Sequence, residues 1–527
     1  MMKFAFALAV AMLAGGVVPA TAATHENAPD FAARIASVVA RPAFAHASIG
    51  MEFLDLDTGV ALYARNAASL FVPGSTTKLL TEGAVLHALG PDYRFHTRVY
   101  RTGDIAADGT LQGQLVVIPS GDPDISGRAR KDGTYAFQDE DHSYGGAPVD
   151  GDPLAAVDDL ADQIASHGIK KITGDVVVQT GFFPQGDTEG GTGTTISPVC
   201  LNDNIIDMQI SAAAAPGSPA AITVAPFTSY LTLVNRTVTG ARGSKDTIDW
   251  SSDVANPNGT RTLTVRGSLP ADAKPAWSPY AVQTPDAFLR SALVDALLAR
   301  GVAVMGGANA VTGGNDYALY SPANRFAGEE EVADHVSLPL AQDVRITLKV
   351  SQNLHAATMP YVLGALVGGD HNTSLVSGFG IERAWLAAAK LDLAGAAQSD
   401  GEGADAYFSP DFMVHFLAFE RTQPEFWAFH AGLPVLGRDG TLAAIQRSSP
   451  AAGHVAAKTG TFEDTDYLNG RWMVRGKGLA GYFTSRSGKH IAFAVYLNNV
   501  SVATTADATN IAGQACGEIA ALGYLYL

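Results

Sequence analysis

The sequence predicts an α+β fold: an antiparallel sheet built from both chain ends, helices packed on it, and a large, mostly β insertion. Three observations predict it. Apolar and polar residues alternate, as strands do, at Ser48–Leu54 and Val60–Asn66, and Leu479–Thr484 and Ile491–Asn498 flank the turn Ser487-Gly488 as a second hairpin. Helical periodicity governs Ser75–Leu89 and, from Pro285, most of the chain to about 450. Between about 93 and 275 the composition shifts to Gly, Thr, Val and Asp in short runs. Early and late strands that bracket helices are most economically joined in one sheet.

The elements follow in chain order. Lys3, the apolar run Phe4–Val18 and the small residues Ala20-Thr21-Ala22 form an export signal cleaved after Ala22 or Ala23. The run is short for a membrane span, and no other segment approaches that length. Residues 30–40 read as helix. Asp57-Thr58-Gly59 turns the first two strands into a hairpin. Leu79, Leu80, Ala84, Leu86 and Leu89 mark a helix that Gly90-Pro91 stops. Short strands are then expected at Phe95–Tyr100, Leu111–Ile118, Gly174–Gln179, Ile222–Val224, Tyr230–Val234 and Arg261–Val265, with one helix at Leu154–His167. Gly127–Gly151 and Pro184–Thr195 read as mobile loops. Thr284 is placed to cap, and Pro285 to open, a helix that runs to Arg300 before Gly301. Ser487-Gly488 turns a second hairpin, and a last helix covers Thr505–Leu522. The expected division is 1–22 signal, 23–92 first part of the main body, 93–275 insertion of one or two modules, and 276–527 second part.

With 527 residues, 47% hydrophobic and 17% charged, the chain can bury a full core over two or three domains. A formal net charge of −17 excludes non-specific nucleic-acid binding. It leaves room for an anionic substrate met by a few local cations. The two cysteines, Cys200 and Cys516, form no CxxC and join no Cys/His cluster, so neither thiol chemistry nor structural zinc is expected. Sequence leaves open whether they pair.

Three short motifs carry chemistry. VPGSTTKLLT sets Ser75 and Lys78 three apart, on one face of a starting helix. A lysine whose pKa is lowered by burial can take the serine proton and make the hydroxyl a nucleophile. The plain alternative is a helix cap beside a solvated lysine. KVSQNLHA supplies Ser351, a second hydroxyl able to pass a proton, and Asn353, a carboxamide able to hold a substrate amide. Its alternative is a polar loop. HVAAKTGTFED supplies Lys458 and Thr459, able to bind a carboxylate if the segment is an edge strand. There Gly460 permits close approach of a substrate backbone, and the Thr461 amide can face an oxyanion.

In the order SxxK, SxN, KTG, the triple resembles the signature of the penicillin-recognising serine enzymes. Ser75 and Ser351 lie 276 positions apart (351 − 75). A gap of that length resembles the class C low-molecular-mass penicillin-binding proteins, the D-alanyl-D-alanine carboxypeptidase/endopeptidases of peptidase family S13. LQGQLVVIPSGDPD, LPVLGRDGTLAAIQ and YLNG…LAGYF…HIAFAVYLNN extend the resemblance over about 45–525. It implies a transpeptidase-like body with an all-helical lobe. Ser75 then matches the acylated nucleophile and Lys78 its general base. Ser351 and Asn353 match the relay and positioning residues, and Lys458 and Thr459 the carboxylate anchor. The amides of Ser75 and Thr461 match the oxyanion hole. The implied partners are peptidoglycan stem peptides and, as covalent inhibitors, β-lactams. The implied location is the periplasm, and no metal or cofactor is implied.

Two stretches depart from the family pattern. DGSGLSR is replaced by Asp400-Gly401-Glu402-Gly403-Ala404-Asp405-Ala406, which puts Ala406 where the family has an arginine. Gln179 stands for the family's aspartate, and the Trp- and Tyr-bearing loop that follows becomes QGDTEGGTGTT. The chemistry is retained while the side-chain subsite is changed, so a free amino end on the substrate side chain is not expected to be favoured. The competing readings are a β-lactamase, an esterase or amidase on the same scaffold, and an idle periplasmic scaffold. A class A β-lactamase needs a glutamate for its deacylating water. The stretch Glu382-Arg383-Ala384-Trp385 lacks the expected form.

Overall fold

The computed structural model describes residues 28–306 and 331–527. The expected export signal lies outside them. Among the described residues no helix is long and apolar enough to cross a membrane.

The central sheet is built from both chain ends. In order it runs Val455–Asp466, Arg471–Thr484, His490–Asn498, Ser48–Asp55 and Val60–Arg65, with Val500–Val502 paired to the second of these. All of these pairings are antiparallel. Ile491–Asn498 are all buried because both faces of this strand are covered. Ile491, Phe493, Val495 and Leu497 face one core, with Phe53 of the neighbouring strand and with Phe31 and Ile519 from the terminal helices Ala28–Val39 and Gln514–Tyr526. Ala492, Ala494 and Tyr496 face the other, with Leu79, Val85, Met359 and Phe416 from the helical part. This two-residue alternation fixes the register, since a slip of one residue would exchange the faces. Full burial of a side chain such as Phe493 stabilises by about 1.5–3 kcal/mol.

The helical part comprises Leu340–Val350, Asn353–Leu366, Ser374–Ala388, Pro410–Glu420 and Phe426–Gly432. A separate core unites the inserted strands, with Val99, Leu115, Val176, Ile206 and Leu263 among its members. It also takes in Phe288, Leu289 and Leu293 of the helix Pro285–Ala299, which lies beyond the expected boundary at 275.

Several local expectations change. Leu111–Ile118 is two strands, Thr110–Leu111 and Leu115–Ile118, in different sheets. The chain crosses closely at Gly113, where a Cβ would lie 2.8 Å from Gly103 N. Ile205–Ser211, Asp249–Ala255 and Ala276–Ala281 are further strands. The second is polar and mostly exposed, so little apolar alternation marks it. Thr284 does not cap its helix; its hydroxyl donates to Gly259 O at 2.8 Å. The two stretches read as mobile loops are packed: Arg128, Asp141 and His142 in one and Glu189 and Thr194 in the other are buried. Their polarity misleads because these groups pair with one another. Cys200 and Cys516 are both free and sit in different cores.

Candidate active site

Ser75 lies in a 3-10 turn, Gly74–Thr77, that leads into the helix Lys78–Leu89. It caps nothing. Instead Lys78, 0% exposed, turns its Nζ to Ser75 Oγ at 2.8 Å. The same Nζ lies 3.4 Å from Ser351 Oγ and 2.5 Å from Asn353 Oδ1. Burial, the largest effect, lowers the Lys78 pKa to about 8, while the carboxyls of Glu402, Glu189, Asp400 and Glu82 oppose the fall. Roughly a tenth of such an amine is neutral at pH 7.

Ser351 joins two helices, Leu340–Val350 and Asn353–Leu366, in a left-handed conformation, φ 65°. That conformation is uncommon for a residue other than glycine and costs on the order of 1–3 kcal/mol. It is held from the inserted part. Tyr144 Oη donates to Ser351 O at 2.8 Å. Gln352 Nε2 donates to Ser143 Oγ at 3.2 Å and Asp141 Oδ1 at 3.3 Å. Behind these, Arg128 Nη2 bridges Asp141 and Asp203 at 2.6 Å each, and His355 lies between Asp203 and Asp343. Burial alone would lower the pKa of His142, but Asp141, Asp203 and Asp207 outweigh it and raise it to about 10. Three groups in this region have ligand-type atoms close enough to hold an ion: Cys200/Asp203/His355, Asp124/Asp343/His355 and Asp141/His142/Asp203. Asp203 already pairs with Arg128, His142 and His355, which accounts for much of the clustering.

The strand Val455–Asp466 is the sheet edge, as the KTG reading requires. Lys458 Nζ donates to Ser351 Oγ at 2.8 Å. Burial first, then the Lys78 and Lys477 charges, push the Lys458 pKa well below its ordinary value. Thr459 Oγ1 donates to Thr441 Oγ1 at 2.8 Å. Gly460 packs on the serine turn: a Cβ there would lie 2.0 Å from Pro73 O and 3.1 Å from Ser75 N. A Cβ on Gly74, φ +53°, would lie 2.6 Å from Thr461 N. The Ser75 and Thr461 amides therefore flank one close contact. Lys477 Nζ donates to Thr461 Oγ1 at 2.6 Å.

All three motifs thus meet in one cleft, as expected of them. Sequence reading missed the supports: Tyr144, Gln352 and the buried charges, and Glu189, which accepts from Asn353 Nδ2 at 3.0 Å. Tyr144 and Glu189 lie in stretches read as loops, and Gln352 stands between the two residues singled out in KVSQNLHA, so no spacing signal links them.

The family model described as "D-Ala-D-Ala carboxypeptidase 3 (S13) family" matches residues 31–518. The chain belongs to this family. It is a serine-type D-alanyl-D-alanine carboxypeptidase, a hydrolase. Among its relatives, a D-alanyl-D-alanine carboxypeptidase of Actinomadura sp. (strain R39) is 28% identical over 459 residues, 83% of this chain and 77% of the relative. The D-alanyl-D-alanine carboxypeptidase DacB of Haemophilus influenzae is 23% identical, over 83% of this chain and 82% of its own length. The crystal structure of penicillin binding protein 4 (dacB) from H. influenzae matches with a TM-score of 0.71 at 20% identity, over 93% of this chain and 99% of that one. The S13 chain therefore has the fold of the penicillin-recognising serine enzymes.

Proposed function

We propose that this S13 enzyme removes the terminal D-alanine of peptidoglycan stem peptides through an acyl-enzyme on Ser75. One observation carries the reading: the hydrogen bonds Ser75–Lys78–Ser351–Lys458 run unbroken through residues of three remote motifs. Ser75 Oγ attacks the carbonyl of the penultimate D-alanine and gives its proton to neutral Lys78. The amides of Ser75 and Thr461 receive the oxyanion, a donor there being worth about 3 kcal/mol. Lys78 returns the proton through Ser351 to the departing nitrogen as the C–N bond breaks. Water then hydrolyses the ester. An amine departing from a cross-link gives the endopeptidase reaction by the same steps. Lys458 and Thr459 hold the substrate carboxylate, with Gly460 admitting the backbone, and Asn353 positions the scissile amide. Release of D-alanine from a stem pentapeptide tests the proposal; an enzyme that is acylated by β-lactams yet releases none favours the β-lactamase reading instead. A solved structure of the H. influenzae protein is described as complexed with a novel beta-lactam, which supports covalent inhibition here. Cell-wall chemistry and the signal-like N-terminus support a periplasmic location.

Lys458 sets a pH dependence. Its pKa is low in the free cleft, and a bound carboxylate raises it, so binding takes up a proton. Above the free pKa, affinity for a carboxylate therefore falls as pH rises. KM for a peptide ending in a carboxylate is expected to climb with pH, and KM for its C-terminal amide to stay level. Parallel curves would remove Lys458 as the anchor.

The side-chain subsite follows from a cavity of about 340 Å³ lined by Ser143, Tyr144, Gly191, Thr192, Ile205, Pro279 and Ala281. It offers no carboxylate, and Glu189 of the same loop is turned inward, 2% exposed. Substrates with and without the free side-chain amine are expected to turn over at similar kcat/KM. A preference of tenfold or more for the amine would contradict this.

A further inference from the structure

Two buried carboxyls that the family motifs do not include act electrostatically on the catalytic lysine. Glu189 and Glu402 are 2% and 4% exposed. They come from the two stretches where this chain departs from its family's pattern. Both meet the turn Glu189–Thr192, Glu402 through the Gly190 amide, and they differ in the donors they receive. Glu189 Oε1 accepts from the Thr192 amide and hydroxyl, and its Oε2 from the Gly191 amide at 2.7 Å and Asn353 Nδ2 at 3.0 Å. These donors hold it ionised. Glu402 has only the Gly190 amide, at 2.5 Å on Oε1, and burial beside a charged neighbour keeps it protonated.

The consequence falls on Asn353. Its carboxamide has two N–H groups and one oxygen. Glu189 accepts one N–H, so Oδ1 must face Lys78 Nζ, as it does at 2.5 Å, and the second N–H stays available. The neighbouring turn is shaped for this contact: a Cβ on Gly191 would sit 2.1 Å from Asn353 Nδ2.

Resting on the reading of the cleft above, we propose that the Glu189–Glu402 acid pair is a positioning device. It locks Asn353 in one orientation and places a single negative charge beside Lys78. Glu189 is not a base for the deacylating water, because both its oxygens already accept hydrogen bonds. The ionisable groups that face Lys78 are Glu189, Glu402, Asp400, Glu82 and Lys458. Removing the one charge on Glu189 frees Lys78 to lose its proton more readily, while Asn353 loses its anchor.

The test measures acylation by a fluorescent penicillin from pH 5.5 to 9.5, with melting temperature as the check on folding. Glu189→Gln is expected to lower the plateau rate by roughly 10- to 100-fold, since a misplacement of about 1 Å in a positioned group costs up to that order. The limb on which rate rises with pH is expected to move to lower pH. Glu402→Gln leaves Glu189 and its contact with Asn353 in place, so its neutral-pH rate stays within about threefold of the parent while its limb also moves to lower pH, since no second carboxylate ionises alongside Lys78. A parent rate and an unmoved limb in Glu189→Gln overturn the proposal. So does a lowered rate with an unmoved limb and a lowered melting temperature, which marks a packing role only. Slowed deacylation with acylation intact would instead make Glu189 the water's base and overturn it too. Should Glu189→Gln fail to fold, the limb of Glu402→Gln decides. A parent enzyme that is not acylated at all sinks the reading of the cleft and this inference with it.

Discussion

Ser75→Ala abolishes acylation: after β-lactam exposure its intact mass stays that of the free chain, and D-alanine release falls on the order of 10⁴- to 10⁶-fold, as for loss of other serine nucleophiles. The parent gains the mass of one β-lactam. The loss is chemical rather than structural, because the Ser75 hydroxyl is bonded to Lys78 and fills no core. Its melting temperature is expected to change by a few degrees at most. Lys78→Met should be as inactive, for a different reason. The hydroxyl remains, but no amine can take its proton. Removing the amine relieves the cost of burying it and leaves Asn353 Oδ1 unpaired, about 1–3 kcal/mol, so the effects on stability oppose. Adduct formation on Ser75→Ala at the parent rate would place the nucleophile elsewhere and end the assignment.

Gly460→Ala is the second large effect, and it comes from a single methyl. The added carbon would sit 2.0 Å from Pro73 O, a backbone atom in a buried turn that cannot move aside as a side-chain tip could. The edge strand must shift away from the serine turn, which separates the Ser75 and Thr461 amides. Overpacking costs about 1–3 kcal/mol of stability. Loss of one oxyanion donor costs about 10²- to 10³-fold in kcat. Acylation of Gly460→Ala is therefore expected to fall at least 100-fold while Lys458 still anchors the carboxylate, so KM changes much less than kcat. A kcat within threefold of the parent would show that the two amides do not act together.

Much of the fold was legible because its cues are local. Alternation at Val60–Asn66 and the apolar runs on either side of Ser487-Gly488 read as strand wherever the partner lies, and Gly90-Pro91 ends a helix without help. The cues failed where partners are remote. Asp249–Ala255 is a strand through its pairing with Arg261–Pro270, not through its own apolar pattern. Polar stretches such as Gly127–Gly151 look like loops until Arg128 finds Asp141 and Asp203.

By itself the sequence determined which chemical groups are present and their order: the Ser75/Lys78 pair, Ser351 with Asn353, and Lys458-Thr459-Gly460. Helix and strand periodicity act over a few residues, so they are written in short segments. Only the tertiary structure decided that these groups meet, that Lys78 is buried so that its pKa falls to about 8, and that Glu189 accepts from Asn353. Those properties arise from desolvation and from charges that are close in space but hundreds of residues apart along the chain, and no short segment records either.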